Sequence, residues 1–239
     1  MSTSDVFLDY FDRVYIINLP YRVDRRKEME DQFRKISVDN HHPKISFFPA
    51  VRPQDAGEFP TIGARGCFSS HLAVLDDAQK NGYKKILLLE DDVDFSSDFL
   101  LQIEPVIEKL KIKSWAIFYG GYLNELSVTD MEPLDSSSGV MGGHFMAFQQ
   151  PAIAGLAEYL TLMIGRKGGD PLGGPMHVDG AYSWYRQQNP SLITLVSANQ
   201  LGHQRSSRTD IHQNKWYDSA PIVSSLVAFV RRYKNKFKQ

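Results

Sequence analysis

The sequence predicts an α/β fold built on a mixed, mostly parallel sheet flanked by helices, and three observations carry that prediction. The runs Val14-Tyr15-Ile16-Ile17 and Ile86-Leu87-Leu88-Leu89 are short, unbroken and apolar, as in strands buried on both faces. Segments with apolar residues three and four apart lie between such runs, so strand and helix alternate through the first half. No internal repeat and no long linker interrupts the chain. Its 239 residues suffice for one domain, which at that size buries roughly 70–75% of the unfolded surface.

Taken in order, Val14–Ile17 forms a strand closed by Asn18-Leu19-Pro20. A helix follows, with Asp24 as its N-cap and Met29, Phe33 and Ile36 at spacings of four and three. Ser46-Phe47-Phe48 reads as a second strand. Arg52 to Gly66 holds two prolines and three glycines and reads as a loop over the sheet edge. Cys67 to Gln79 is then helical, with Phe68, Leu72 and Leu75 on one stripe. After the strand Ile86–Leu89, a helix runs from Asp98 to about Leu110, with Pro105 placed to break or kink it. Trp115 to Tyr119 is a strand stopped by Gly120-Gly121, and His144 to Phe148 is another. Pro151 to about Ile164 is a helix with proline at its first position. Gly165 to Gly174 carries five glycines, a proline and an aspartate, and reads as a mobile loop with the character of a lid. Val178 to Gln188 is helical and Ile193 to Val196 a strand, so the second half is the less regular one.

Composition excludes several classes. Hydrophobic content of 42% and charged content of 23% are those of an ordinary globular protein. A net charge of −1 provides no field to draw the chain to nucleic acid. Cys67 is the only cysteine, which excludes an internal disulfide and fits a reducing compartment. The opening residues Ser2–Asp5 have neither a basic region nor an apolar core. No apolar run approaches the roughly 20 residues that span a bilayer. A cytoplasmic protein is expected.

The chemistry-bearing feature is Glu90-Asp91-Asp92, set directly after Leu89. Three carboxylates at the end of a buried strand repel one another in poorly solvated surroundings. A raised pKa, a cationic partner or a bound divalent metal relieves that repulsion. The carboxyl ends of strands are also where open α/β sheets place ligands. The alternative is a solvated turn leading into the helix that follows Ser96, Ser97 and Asp98.

Four blocks together resemble glycosyltransferase family 25, which includes bacterial lipooligosaccharide galactosyltransferases and is related to the procollagen galactosyltransferases. They are Val14–Pro20 with Arg22, Asp24, Arg25 and Arg26; Ile62–Leu72; Leu88–Val93; and, more loosely, Gly142–Phe148. The resemblance covers roughly residues 12–150. It implies a GT-A fold, with a Rossmann-like sheet binding a nucleotide-sugar, assisted by Mn²⁺ or Mg²⁺. It also implies inverting transfer, most often of galactose from UDP-galactose, to a saccharide or glycolipid acceptor.

Such a transfer needs the leaving diphosphate neutralised, a base for the acceptor hydroxyl and a grip on the sugar. Glu90 and Asp92 offer hard oxygen ligands to the metal, with His203 as a further ligand. Asp91 is placed to hydrogen-bond the ribose or donor sugar. Asn18 and Leu19 stand where a nucleotide base lies in a Rossmann-like half. Arg22 and Arg25 could reach phosphate or uracil, whereas Arg26 fits a solvated helix face equally well. Arg65, before the second helix, is placed for an anion, and Ser70, His71 and His144 complete the donor set. As a catalyst His71 competes with the commoner role of a packed, hydrogen-bonded histidine, and Cys67 reads as structural and buried. For the base, Asp179 at a helix start is preferred over Asp170 in the glycine-rich loop, its alternative role being that of an N-cap. The polar segment 201–210, with Arg205 and Arg208 as diphosphate ligands, could also be a surface loop.

The chain divides on this reading into a GT-A-like domain over residues 1–217 and a basic amphipathic helix over 218–239. That helix either packs on the domain or lies peripherally on the inner face of an anionic membrane. Two other readings stay open, a metal-dependent phosphoryl-transfer enzyme and an inactive GT-A-fold binding protein.

Overall fold

The structure is a computed structural model that describes residues 3–205. The chain runs α1 (Thr3–Tyr10), β1 (Arg13–Asn18), α2 (Val23–Lys35), β2 (Ile45–Pro49), α3 (Ile62–Lys80), β3 (Lys85–Glu90), β4 (Val93–Phe95) and α4 (Phe99–Ile112). It continues through β5 (Ile117–Gly121), β6 (Phe145–Gln149), α5 (Ala152–Ile164), α6 (Val178–Gln188), β7 (Thr194–Val196) and β8 (Gly202–Gln204).

Among the described residues the main sheet has six strands in the order β2-β1-β3-β6-β5-β7. The β1–β2, β1–β3 and β5–β7 pairs are parallel, and β6 runs antiparallel to both its neighbours. This is the mixed, mostly parallel sheet that the sequence predicts. Successive residues of β3 alternate between two cores: Ile86 and Leu88 join the layer of α3, α5 and α6, while Leu87 and Leu89 join that of α1, α2 and α4. All four are essentially fully buried, which is why the strand reads as an unbroken apolar run.

This layering positions the site. β1 leads through α2 on one face to β2 on one side, while α3 on the other face precedes β3 on the other side. The chain therefore reverses direction across the sheet between β1 and β3. A crevice opens beyond the carboxyl ends of strands at such a switch point. Register sets Ile17 beside Glu90, so Asn18 and the acid triplet meet there.

Several elements differ from expectation. α2 is capped at Arg22, and Asp24 lies inside its first turn, held by Arg22 Nη2 at 2.8 Å. α3 starts at Ile62 rather than Cys67, because Thr61 Oγ1 accepts a 2.9 Å hydrogen bond from the Ala64 amide and caps it. Pro105 lies within α4 without ending it: it faces solvent, while Ile103, Val106, Ile107 and Leu110 hold the opposite stripe in the core. Gly120 and Gly121 belong to β5. A Cβ at Gly121 would collide with the Gly202 carbonyl oxygen and lie 2.6 Å from His144 Nε2. The triplet is followed by β4, which pairs with β8 in a small second sheet, so residues 202–204 are strand and not surface loop. The glycine-rich segment is braced: Glu58 Oε2 accepts from the Gly168 amide, and Arg166 Nη1 donates to the Leu172 and Gly173 carbonyls. The helix expected over 218–239, its boundary with the domain, and Arg208 lie outside the described residues. No helix among the described residues is long and apolar enough to cross a membrane.

Candidate active site

The ends of β1 and β3 open into a cavity of about 340 Å³. Leu19 and Arg22 line it from the β1–α2 turn, Arg25 from the first turn of α2, Ser70 and His71 from α3, and Glu90, Asp91 and Asp92 from the end of β3. The three acids have different partners, so they are not equivalent.

Asp91 is saturated by two donors. Asn18 Nδ2 reaches its Oδ2 and Arg25 Nη1 its Oδ1, each at 2.7 Å. Asn18, expected at a nucleotide base, is buried and does not line the cavity; its side chain is turned to Asp91. Arg25 also lies 3.4 Å from Asp92 Oδ2, bridging two carboxylates.

Glu90 faces α3. Its Oε1 lies 3.2 Å from His71 Nε2 and 3.8 Å from Cys67 Sγ, and His71 Nδ1 lies 2.9 Å from Tyr182 Oη. Burial pushes the Glu90 carboxyl up, but the His71 hydrogen bond and charge outweigh it and hold the carboxyl below its ordinary value. Burial, reinforced by the Glu90 charge, pushes the Cys67 thiol well up.

Asp92 is the acid left over. Oδ2 accepts from Gln204 Nε2 at 3.3 Å and faces Arg25, whereas Oδ1 is buried with no hydrogen-bond partner. Burial, then the nearby Glu90 carboxylate, pushes its pKa up to about 7. A buried carboxylate oxygen without a donor is an atom suited to a cation, and this chemistry fits the oxygen-ligand metal that the sequence implies.

The other expected residues are dispersed. Arg22 lines the cavity while paired to Asp24, and Ser70 Oγ accepts from the Val51 amide at 2.8 Å. Arg65 points away, bound to Asp55, and is not among the lining residues. Arg26 lies over the Phe47 ring and pairs with Glu30. His144 is buried behind the cavity at the start of β6, its pKa lowered by burial. His203 lies opposite Asp94 in the β4–β8 pair, outside the cavity lining; its neighbour Gln204 reaches Asp92 instead. Arg205 is engaged by Asp94 and Glu28, not turned to the cavity. Asp179 lies within the first turn of α6 rather than at its cap, His177; its carboxylate accepts from the Gly142 amide at 3.0 Å and the Gly180 amide at 2.8 Å. Asp170 Oδ1 is taken by the Leu172 amide.

The sequence reading missed Tyr21 and Arg52, which line the cavity with the guanidinium 5.1 Å from the ring centroid. It also missed Tyr182 behind His71. Neither pairing has a local pattern; β2 and α6 bring these residues in from distant parts of the chain.

Residues 11–132 match the model of glycosyltransferase family 25, described as an LPS biosynthesis protein. The chain belongs to glycosyltransferase family 25. Within the family it is 30% identical over 129 residues to the human "Inactive glycosyltransferase 25 family member 3", covering 46% of this chain and 22% of the relative. It is 26% identical over 129 residues to the Xenopus laevis "Procollagen galactosyltransferase 1-B", covering 46% and 21%. The chain thus spans about a fifth of the length of these relatives. A solved glycosyltransferase involved in the glycosylation of the major capsid of PBCV-1 shares the fold, with a TM-score of 0.50 at 10% identity, over 82% of this chain and 94% of that one. The fold is GT-A-like, and three of the four family-25 blocks supply residues that line the cavity.

Proposed function

We propose that this chain is an inverting glycosyltransferase that moves a sugar, galactose first among candidates, from a UDP-sugar to a hydroxyl of a surface-glycan or glycolipid acceptor. The single observation that carries this reading is the unpartnered buried Oδ1 of Asp92 at the cavity, in a family-25 chain. Asp92 would hold Mn²⁺ or Mg²⁺, with Glu90 close by; the ion supplies neutralising charge for a leaving diphosphate.

The chain's own residues do the rest. Arg25, locked onto Asp91, presents fixed positive charge beside the acids, and Arg22 lines the same wall. Tyr21 with Arg52 forms a flat, cation-topped surface suited to a nucleobase. Asp179 is the candidate base. The Gly142 amide it holds adjoins Gly143, which packs on His71 and Glu90, so Asp179 anchors the strip beside the acids although it does not itself line the cavity.

Calorimetry with UDP and GDP, each with and without Mn²⁺, tests the reading on wild type and Asp92→Asn. UDP should bind more tightly than GDP, in a Mn²⁺-dependent way that Asp92→Asn abolishes while the fold survives. Tighter GDP binding, or undiminished Mn²⁺ dependence in folded Asp92→Asn, would overturn it.

A second reading has an observation of its own. Glu90 and Asp91 are both bound within the protein, as in a binding module that has kept the fold, and some relatives carry the name "inactive". Mn²⁺-dependent UDP binding without hydrolysis or transfer of any UDP-sugar would favour that module.

A further inference from the structure

We propose that Cys67, His71 and Glu90 bind one thiophilic divalent cation of the zinc class, at a site distinct from the oxygen ligand Asp92. The cluster is assembled, not incidental. One ligand atom from each of the three residues lies within 4.8 Å of the others. Cys67 and His71 stand four apart on α3 and so project from the same face of successive turns, while Glu90 comes from the end of β3.

The two distances to Glu90 fit a tetrahedral ion. Ligand atoms about 2.0–2.3 Å from such an ion stand about 3.3–3.7 Å from one another. Glu90 Oε1 is 3.2 Å from His71 Nε2 and 3.8 Å from Cys67 Sγ, so rotations of a few tenths of an ångström complete this part of the geometry. Tyr182 Oη, 2.9 Å from Nδ1, supplies the outer hydrogen bond that orients a metal-bound imidazole and leaves Nε2 for the ion. Gly143 packs against His71 and Glu90 without a side chain of its own. All three ligands also line the cavity, which leaves a fourth position open to water or an anionic oxygen.

Ligand softness decides which ion. A thiolate, an imidazole and one carboxylate suit Zn²⁺ or Co²⁺, whereas Mg²⁺ and Mn²⁺ take oxygen ligands of the kind Asp92 offers. Binding exchanges the Cys67 thiol proton for the metal–sulfur bond, with release of that proton to solvent and no redox change.

Co²⁺ titration of the full chain, followed by optical absorption, tests this without reference to donor binding or transfer. Cys67 is the only cysteine, so thiolate-to-cobalt charge-transfer absorption can come from no other residue. The band should saturate at one equivalent, be bleached by Zn²⁺, survive excess Mg²⁺ and disappear in Cys67→Ser. It should persist in Asp92→Asn, which separates this site from the proposed donor metal. Tyr182→Phe should weaken Co²⁺ affinity about 10–100-fold, a readout that holds even if Cys67→Ser fails to fold. No band in folded wild-type protein at millimolar Co²⁺, loss of the band in folded Asp92→Asn, or unchanged affinity in Tyr182→Phe would each overturn the proposal.

Discussion

Asn18 Nδ2 donates a 2.7 Å hydrogen bond to Asp91 Oδ2, joining the ends of two neighbouring parallel strands across 73 positions of sequence. Both side chains are buried, and Arg25 occupies the other carboxylate oxygen. Asn18→Ala should therefore leave a buried carboxylate short of one donor, at a cost of about 1–3 kcal/mol. Urea unfolding checks the loss. UDP affinity should fall as well, although Asn18 does not line the cavity, because Asp91 and Arg25 lose their alignment. Unchanged stability would mean that Asp91 does not depend on this strand-to-strand bond.

Asp92 makes stability depend on pH in a direction fixed by its shift. Its folded pKa is raised, to about 7 from 3.8. Between those values the folded chain keeps a proton that the unfolded chain has released, so stability falls as pH rises through the window. The penalty is absent below about pH 4 and complete above about pH 7. In chelator, Asp92→Asn should be more stable than wild type at pH 8, by on the order of 2–4 kcal/mol, and about equal to it at pH 4. A destabilised Asp92→Asn at pH 8 would show that Arg25 and Gln204 outweigh burial.

Gly121 is constrained by its neighbours across the sheet. A Cβ there would strike the Gly202 backbone carbonyl oxygen and the Nε2 of fully buried His144. Gly121→Ala should cost about 1–3 kcal/mol or more by overpacking. Thermal unfolding measures it. The damage should extend to the site, because β8 carries Gln204, which holds Asp92.

What was legible in the sequence follows from range. β1 and β3 are buried on both faces, so their apolar runs announce them locally, and the acids after Leu89 mark the ligand end of the sheet. The start of α3 was less legible, since Gly63 and Gly66 resemble loop, although Thr61 three residues before Ala64 carries the cap signal. β4 and β8 are three residues each and pair over more than 100 positions, which leaves no local trace. Sequence also could not divide labour within the triplet. Glu90 turns to His71, Asp91 to Asn18 and Arg25, and Asp92 to Gln204, and each partner comes from a different element.

Asp179 separates a chemical role from a structural one. Its carboxylate holds the Gly142 amide at 3.0 Å and so steadies the strip before β6, where Gly143 packs on His71 and Glu90. As general base it would contribute about 10²–10⁴-fold to transfer. Asp179→Asn keeps one carbonyl oxygen to accept the Gly142 amide, gives up only the local contact to the adjacent Gly180 amide, and cannot take a proton. If Asp179 is the base, Asp179→Asn should lose transfer by about that factor, with UDP affinity and melting temperature nearly unchanged. If its work is to hold the loop, Asp179→Asn should keep most activity, while Asp179→Ala loses stability, UDP affinity and turnover together. Steady-state kinetics, calorimetry and thermal unfolding on the two variants distinguish these outcomes. Transfer reduced less than about fivefold in folded Asp179→Asn removes Asp179 as the base, because a carboxylate that accepts the acceptor's proton cannot be replaced by an amide at so small a cost.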